Sequence, residues 1–426
     1  MNLTKRENTR TGETIYSAKH PSGLDIYIMP KKGYSQNFAL FGTKYGSVDS
    51  EFRVPGEDRI TKVPDGIAHY LEHKMFDMPD GSNVFDKFAK FGGNANAFTS
   101  FNMTAYLFSA TENVYENLAV LMDYVQRPYF TEESVQKEQG IIGQEIRMYD
   151  DSASWKVFFN LLGCLYHKNP VKLEIAGTVE SIAEINSDYL YKCYNTFYNL
   201  SNMMIFVTGD LDVEKTVSVI EANILKNEPF SEEIERIYPQ EPKTIAKPYH
   251  EQVLSVAKPL FMIGFKDNDI GYSGEKLLKK IIEMEILITM LFSKSSEIYK
   301  TLYEEGLINQ SFSAEYNPQK DYGFTSISGE SESPDKVYEK ILDMLSKTKI
   351  SREDFQRCKK VVWGSYICSY DDIEGFAHEF MSMDFMDIDY FDYYSVYNSV
   401  TFEDVEKRFS QHFDKNLAAM SVVKPC

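Results

Sequence analysis

Hydrophobic and polar positions alternate through residues 14–48, where TIYSAKH and LDIYIMP flank the turn Pro21-Ser22-Gly23 and NFALFGTKYGSV follows. A period of two predicts strands. Pro64-Asp65 then opens a helical pattern, with Asp65 as its candidate N-cap. ANAFTSFNMTAYLFSAT, rich in Phe, Tyr and Thr, predicts a strand pair, and a helix follows over residues 112–126. Thr131-Glu132-Glu133 starts another helix, its hydroxyl suited to the cap and its two acids to the positive end of the dipole. SNMMIFVTGDL reads as a buried strand ending in a turn.

The pattern then repeats. Segment 227–248, NEPFSEEIERIYPQEPKTIAKP, is polar, holds four prolines and predicts a linker. LMDYVQRPYFTEESVQKEQGIIGQEIRMYDD has a counterpart in ILDMLSKTKISREDFQRCKKVVWGSYICSYDD, offset by 220 to 221 residues. SNMMIFVTG likewise matches NLAAMSVVKP. Two related halves imply a duplicated α+β domain, one copy over 1–226 and a homologous one over 249–426, each a mostly antiparallel sheet covered by helices. The aromatic and acidic run DFMDIDYFDYYSVY predicts a late helix packed by its rings.

Composition narrows the partners. A chain of 426 residues with 43% hydrophobic and 26% charged positions excludes collagen-like and disordered classes. The 45 basic against 64 acidic residues leave a net charge of −19, which opposes nucleic acid and anionic membrane surfaces. The five cysteines are scattered with no CxxC pair, the usage of reduced thiols. The N-terminus lacks the apolar core of a signal peptide, and no apolar run is long enough to cross a bilayer. The expected address is the cytoplasm.

Chemistry concentrates in Gly66-Ile67-Ala68-His69-Tyr70-Leu71-Glu72-His73. On a helix, His73 lies about 40° from His69 and Glu72 about 60° to the other side, so all three side chains share one face. Two imidazoles one turn apart suit a tetrahedral Zn²⁺, and the carboxylate beside them can reach a metal-bound water without ligating the ion. The spacing H-x-x-E-H inverts the commoner H-E-x-x-H. With seven His in 426 positions, chance produces it about 0.01 times per chain. A catalytic zinc needs a third protein ligand. Glu138 and Glu145, two turns apart on the Thr131 helix, project from one face about 10.5 Å apart along the axis. One could ligate while the other supports the site or meets a substrate amine; spacing does not choose between them.

These residues resemble the inverzincin metallopeptidases of the pitrilysin, insulin-degrading and mitochondrial-processing-peptidase family, and look closest to its short bacterial branch. The resemblance covers nearly the whole chain. It implies one Zn²⁺ per chain held by His69, His73 and Glu145, with Glu72 as general base and Glu138 as a supporting catalytic acid. It also implies that the two domains form half of a clamshell. Gly92-Gly93-Asn94-Ala95-Asn96-Ala97-Phe98-Thr99 is similar to the family's edge strand, against which a peptide is laid. Asn96 then bonds the substrate backbone and Ala97 leaves room for it.

One departure stands out. The family's second half carries an Arg and a Tyr around a Gly-Leu step; here Leu302 and Asn309 occupy those places, with Tyr303 or Tyr316 as substitutes. The second half has no H-x-x-E-H, and its counterparts of the two acids fall near Cys358 or Lys359 and Ser365 or Tyr366. The resemblance therefore implies a homologous second subunit, or a second copy, that closes the cavity and supplies the Arg/Tyr pair. The expected function is a zinc endopeptidase acting on short or unfolded peptides, with Glu72 taking the proton of a zinc-bound water. The rivals are a non-catalytic scaffold subunit and a maturation peptidase for one precursor. His20, His167, His250, His378 and His412 are isolated and expected to be structural.

Overall fold

The structure, a computed structural model, describes residues 2–225 and 228–426. The expected domain end at residue 226 and the first linker position, 227, lie outside the described residues. The strands are β1 (Thr4–Glu7), β2 (Thr14–Lys19), β3 (Asp25–Pro30), β4 (Asn37–Thr43), β5 (Glu51–Arg53), β6 (Ile60–Lys62), β7 (Asn94–Thr99) and β8 (Thr104–Ala110). They continue as β9 (Met203–Gly209), β10 (Glu235–Arg236), β11 (Tyr249–Val253), β12 (Leu260–Lys266), β13 (Ser313–Pro318), β14 (Gly323–Glu330) and β15 (Ala418–Lys424).

Two sheets share one plan. The first runs β1-β2-β3-β9-β4-β8-β7 and the second β11-β15-β12-β14-β13. β3 pairs with β9 in parallel, and β11 pairs likewise with β15. The remaining pairs of both five-strand series, from β9 to β7 and from β15 to β13, are antiparallel. The α+β class and the duplication are thus visible in strand order as well as in the repeat.

The chain folds into two compact units, and one crossing between them, at Tyr238/Pro239, falls within segment 227–248. The first comprises Met1–Ile146, Leu173–Tyr238 and Ser369–Ser382; the second comprises Arg147–Lys172, Pro239–Cys368 and Met383–Cys426. The units are interleaved along the chain, because each half gives a helix to the other half's unit. The two helices, Ala153–Leu165 and Ile373–Phe385, stand at the same 220-residue offset as the sequence repeat.

Packing explains the exchange. In the first unit β4 and β9 are buried along their whole length, so both faces of the sheet need cover. Met381 sits over Gly42, where a Cβ would meet its sulfur at 2.3 Å, and the Phe380 ring meets Tyr27 and Phe206 at 4.8 and 4.9 Å. In the second unit Leu161 and Leu165 sit over Gly264 in the same manner.

Local signals are met with two exceptions. Gly66, not Asp65, is the N-cap of the Ile67–Lys74 helix, at φ 91°, and Asp65 instead gives its carbonyl to the Ser181 hydroxyl. An added Cβ on Gly66 would lie 2.4 Å from the Ala176 carbonyl, so close backbone approach decides the position. The single helix expected over DFMDIDYFDYYSVY is broken: helix ends at Phe385, Asp387 takes φ 60°, and helix resumes at Tyr393–Ser399. Its rings do pack, with Tyr393 stacked on Tyr366 at 4.0 Å.

Candidate metal centre

The Ile67–Lys74 helix packs by its back face and presents chemistry on its front. Tyr70 and Lys74, one turn apart, are buried; Tyr70 donates to the Val135 carbonyl and Lys74 donates to the Ser134 carbonyl and to Asp77. These bonds tie the motif helix to the first turn of the Glu132–Asp150 helix, which is capped by Thr131 through the Ser134 amide. Glu138, about one turn further along that second helix, and Glu145, two turns beyond it, come level with the histidines.

Their positions separate clearly. Glu145 faces both outer ring nitrogens, with Oε1 3.6 Å from His69 Nε2 and Oε2 3.3 Å from His73 Nε2. Glu138 instead accepts from His73 Nδ1 at 3.1 Å. One donor atom each from His69, His73 and Glu145 lies within 4.8 Å of the others. Geometry thus distinguishes the two acids that helical spacing leaves equivalent. The His69 Nδ1 atom is buried with no hydrogen-bond partner among the described residues.

Two nitrogens and one carboxylate around a shared space are the donor chemistry of a zinc site with an open fourth position. The Glu138 bond holds the His73 ring, as carboxylates behind metal-ligating imidazoles do. The local field also favours a cation. Burial alone would lower the His73 imidazole, but its bonds to Glu138 and Glu145 and the charge of Glu72 outweigh that and push it up to about 10. These residues fit zinc.

Glu72 stands beside this group without joining it. It is 8% exposed, and burial raises its pKa above the usual carboxylate range against the charges of His69 and His73 and a hydrogen bond from Thr99. That bond, Thr99 Oγ1 to Glu72 Oε2 at 2.7 Å, comes from the last residue of β7. Thr99 belongs to the edge-strand motif, whose spacing assigns it no role. Asn96 and Ala97 lie on the same strand, which has β8 on one side and, among the described residues, no sheet neighbour on the other. Asn96 is exposed, and its Oδ1 accepts from the Ala97 amide at 2.9 Å.

The second unit offers no matching donors at the counterpart positions. Cys358 and Tyr366 are buried, and Lys359 donates to the Val400 carbonyl. Leu302 is fully buried, and Asn309 donates to Glu330 at 2.8 Å. Of the two substitutes, Tyr316 is bonded to Asp267 at 2.7 Å, while Tyr303 is 48% exposed and stacked on Tyr299.

Residues 61–179 match the family described as insulinase, peptidase family M16, and residues 184–362 match the description "Peptidase M16 inactive domain". An uncharacterized zinc protease of Bacillus subtilis, YmfH, is 41% identical over 417 residues, covering 97% of each chain. The crystal structure of an M16-like peptidase from Alicyclobacillus acidocaldarius superposes with a TM-score of 0.91 at 34% identity, over 100% of this chain and 99% of that one. Pitrilysin shares the fold, with a TM-score of 0.75 at 14% identity; all of this chain corresponds to 46% of that chain.

Proposed function

The chain belongs to the insulinase family of peptidases, M16, and from that premise we propose that it is a zinc-dependent endopeptidase acting on short or unfolded peptides. The observation that carries this reading is the convergence of His69, His73 and Glu145 within 4.8 Å, with Glu72 alongside. His69, His73 and Glu145 hold one Zn²⁺ per chain. When bound, the ion supplies Lewis acidity to the scissile carbonyl and brings the pKa of water down to about 7.

The chain's own groups supply the rest. Glu72 takes a proton from the attacking water and passes it to the departing amine. Its Oε2 is engaged by Thr99, so that transfer is assigned to Oε1. Glu138 holds the His73 ring. The open side of β7 offers backbone groups to an added peptide strand, with Asn96 and Ala97 at the contact. Such pairing reads backbone, not side chains, and suits extended substrates.

The Leu302 and Asn309 replacements support a second element of the proposal. A homologous second subunit, or a second copy, supplies an Arg/Tyr pair that this chain does not present. The likeness of the whole chain to 46% of pitrilysin is consistent with such a doubling.

A quenched peptide mixture, with and without chelator, tests the reading together with metal analysis. Cleavage that chelator abolishes and zinc restores, at one zinc per chain, is expected; a folded protein that binds no zinc overturns it. Glu72→Gln is expected to keep zinc and lose hydrolysis. Addition of the homologous protein is expected to raise the rate, and equal rates with and without it would remove the partner from the proposal.

A further inference from the structure

We propose that Thr99 is a positioning residue for Glu72, holding the carboxylate in the one orientation from which its other oxygen can accept a proton. This inference rests on the assignment of Glu72 as general base. Thr99 closes β7 and faces Thr104 across the β7–β8 ladder, so the sheet fixes where its hydroxyl stands. A threonine hydroxyl carries one proton and is stiff about χ1. An ionised carboxylate can only accept, so the 2.7 Å contact commits that proton to Glu72 Oε2.

Thr104 secures the arrangement from behind. Its own hydroxyl, fully buried, donates to the Tyr45 carbonyl at 2.9 Å and stands 3.4 Å from Thr99 Oγ1. The longer contact leaves the Thr99 proton no competing acceptor as close as Glu72. The bond also joins the substrate strand to the base: Thr99 lies two residues from Ala97 on the strand proposed to receive the peptide. A displacement of β7 on peptide binding is therefore transmitted to the carboxylate that must take the proton.

Isosteric variants test this. In Thr99→Val, kcat for a quenched peptide is expected to fall about 10- to 100-fold, the loss of a hydrogen bond to a charged group, with KM nearly unchanged. Thr99→Ser restores the hydroxyl and is expected to recover kcat to within about threefold. Zinc content is expected to match the wild type in both. Crystal structures of the two variants give a readout independent of turnover: Glu72 keeps its rotamer in Thr99→Ser and leaves it in Thr99→Val. Full activity in Thr99→Val, or an unmoved Glu72, overturns the inference. Failure of the underlying assignment looks different, because Glu72→Gln would then retain turnover whatever residue 99 is.

Discussion

The hydroxyl of Tyr70 donates to the main-chain carbonyl of Val135 and, with the Lys74 bond to the Ser134 carbonyl, joins the helix that carries the histidines to the helix that carries the two acids. Tyr70 is fully buried, so the bond is shielded from water. Removing it takes away one buried hydrogen bond, at a cost of about 0.5–1.5 kcal/mol, while the Val135 carbonyl keeps its place in the Glu132–Asp150 helix. Tyr70→Phe is therefore expected to lower stability by that amount and weaken zinc binding about tenfold, since the helices set the spacing between ligands. Chelator competition and urea titration measure the two effects.

The two acids are expected to part company on substitution. Glu145→Gln removes the carboxylate that faces both histidines and should abolish stoichiometric zinc. Glu138→Gln leaves those donors and replaces the charged acceptor behind the His73 ring with a neutral one, an effect of about tenfold on affinity. Zinc retained in Glu145→Gln but lost in Glu138→Gln would exchange the roles.

A buried histidine far along the chain sets a pH dependence. His412 is 4% exposed, shares a 2.7 Å contact with Thr325, and lies 3.8 Å from Asp267. Burial lowers its pKa to about 4, reinforced by Lys280 and Arg408 and opposed by Asp267 and Asp269. The unfolded chain takes up a proton near the ordinary value of 6.5 and the native one does not, so stability falls as pH drops from about 6.5 towards 4. The loss over that window is roughly 3 kcal/mol. Asp267, whose pKa is also held down, adds loss of the same sign at more acid pH. Both tryptophans, Trp155 and Trp363, belong to the second unit, so their fluorescence in urea reports it selectively. His412→Gln should flatten the profile; an unchanged slope would assign it elsewhere.

Gly66 tests the local geometry at the start of the motif helix. A methyl group there meets the Ala176 carbonyl at 2.4 Å in a left-handed conformation. Gly66→Ala is expected to cost more than about 1 kcal/mol, visible as a lower melting temperature. Reduced zinc affinity should accompany it.

Which parts of the molecule were legible in the sequence follows from the range of the interactions. The H-x-x-E-H face and the paired acids are helical periodicities, and both are visible from spacing alone. Which acid faces the histidines is a matter of how two helices cross, and only the folded chain separates Glu145 from Glu138. Thr99 escaped notice because its partner is 27 residues away on another element. Asp65 carries the usual cap signal, yet a close backbone approach moved the cap to Gly66. Polar, proline-rich text contains the passage from one unit to the other at Tyr238/Pro239, but it says nothing of which helix covers which sheet.

The exchanged helices impose an order on the birth of the protein. As the chain leaves the ribosome, the strands of the first sheet are complete by Gly209, but the cover for Gly42, Tyr27 and Phe206 arrives only with residues 373–382. At about 5–20 residues per second, that sheet waits on the order of ten seconds or more with apolar surface unclosed. A nascent chain of this design has reason to meet a chaperone before residues 373–382 emerge.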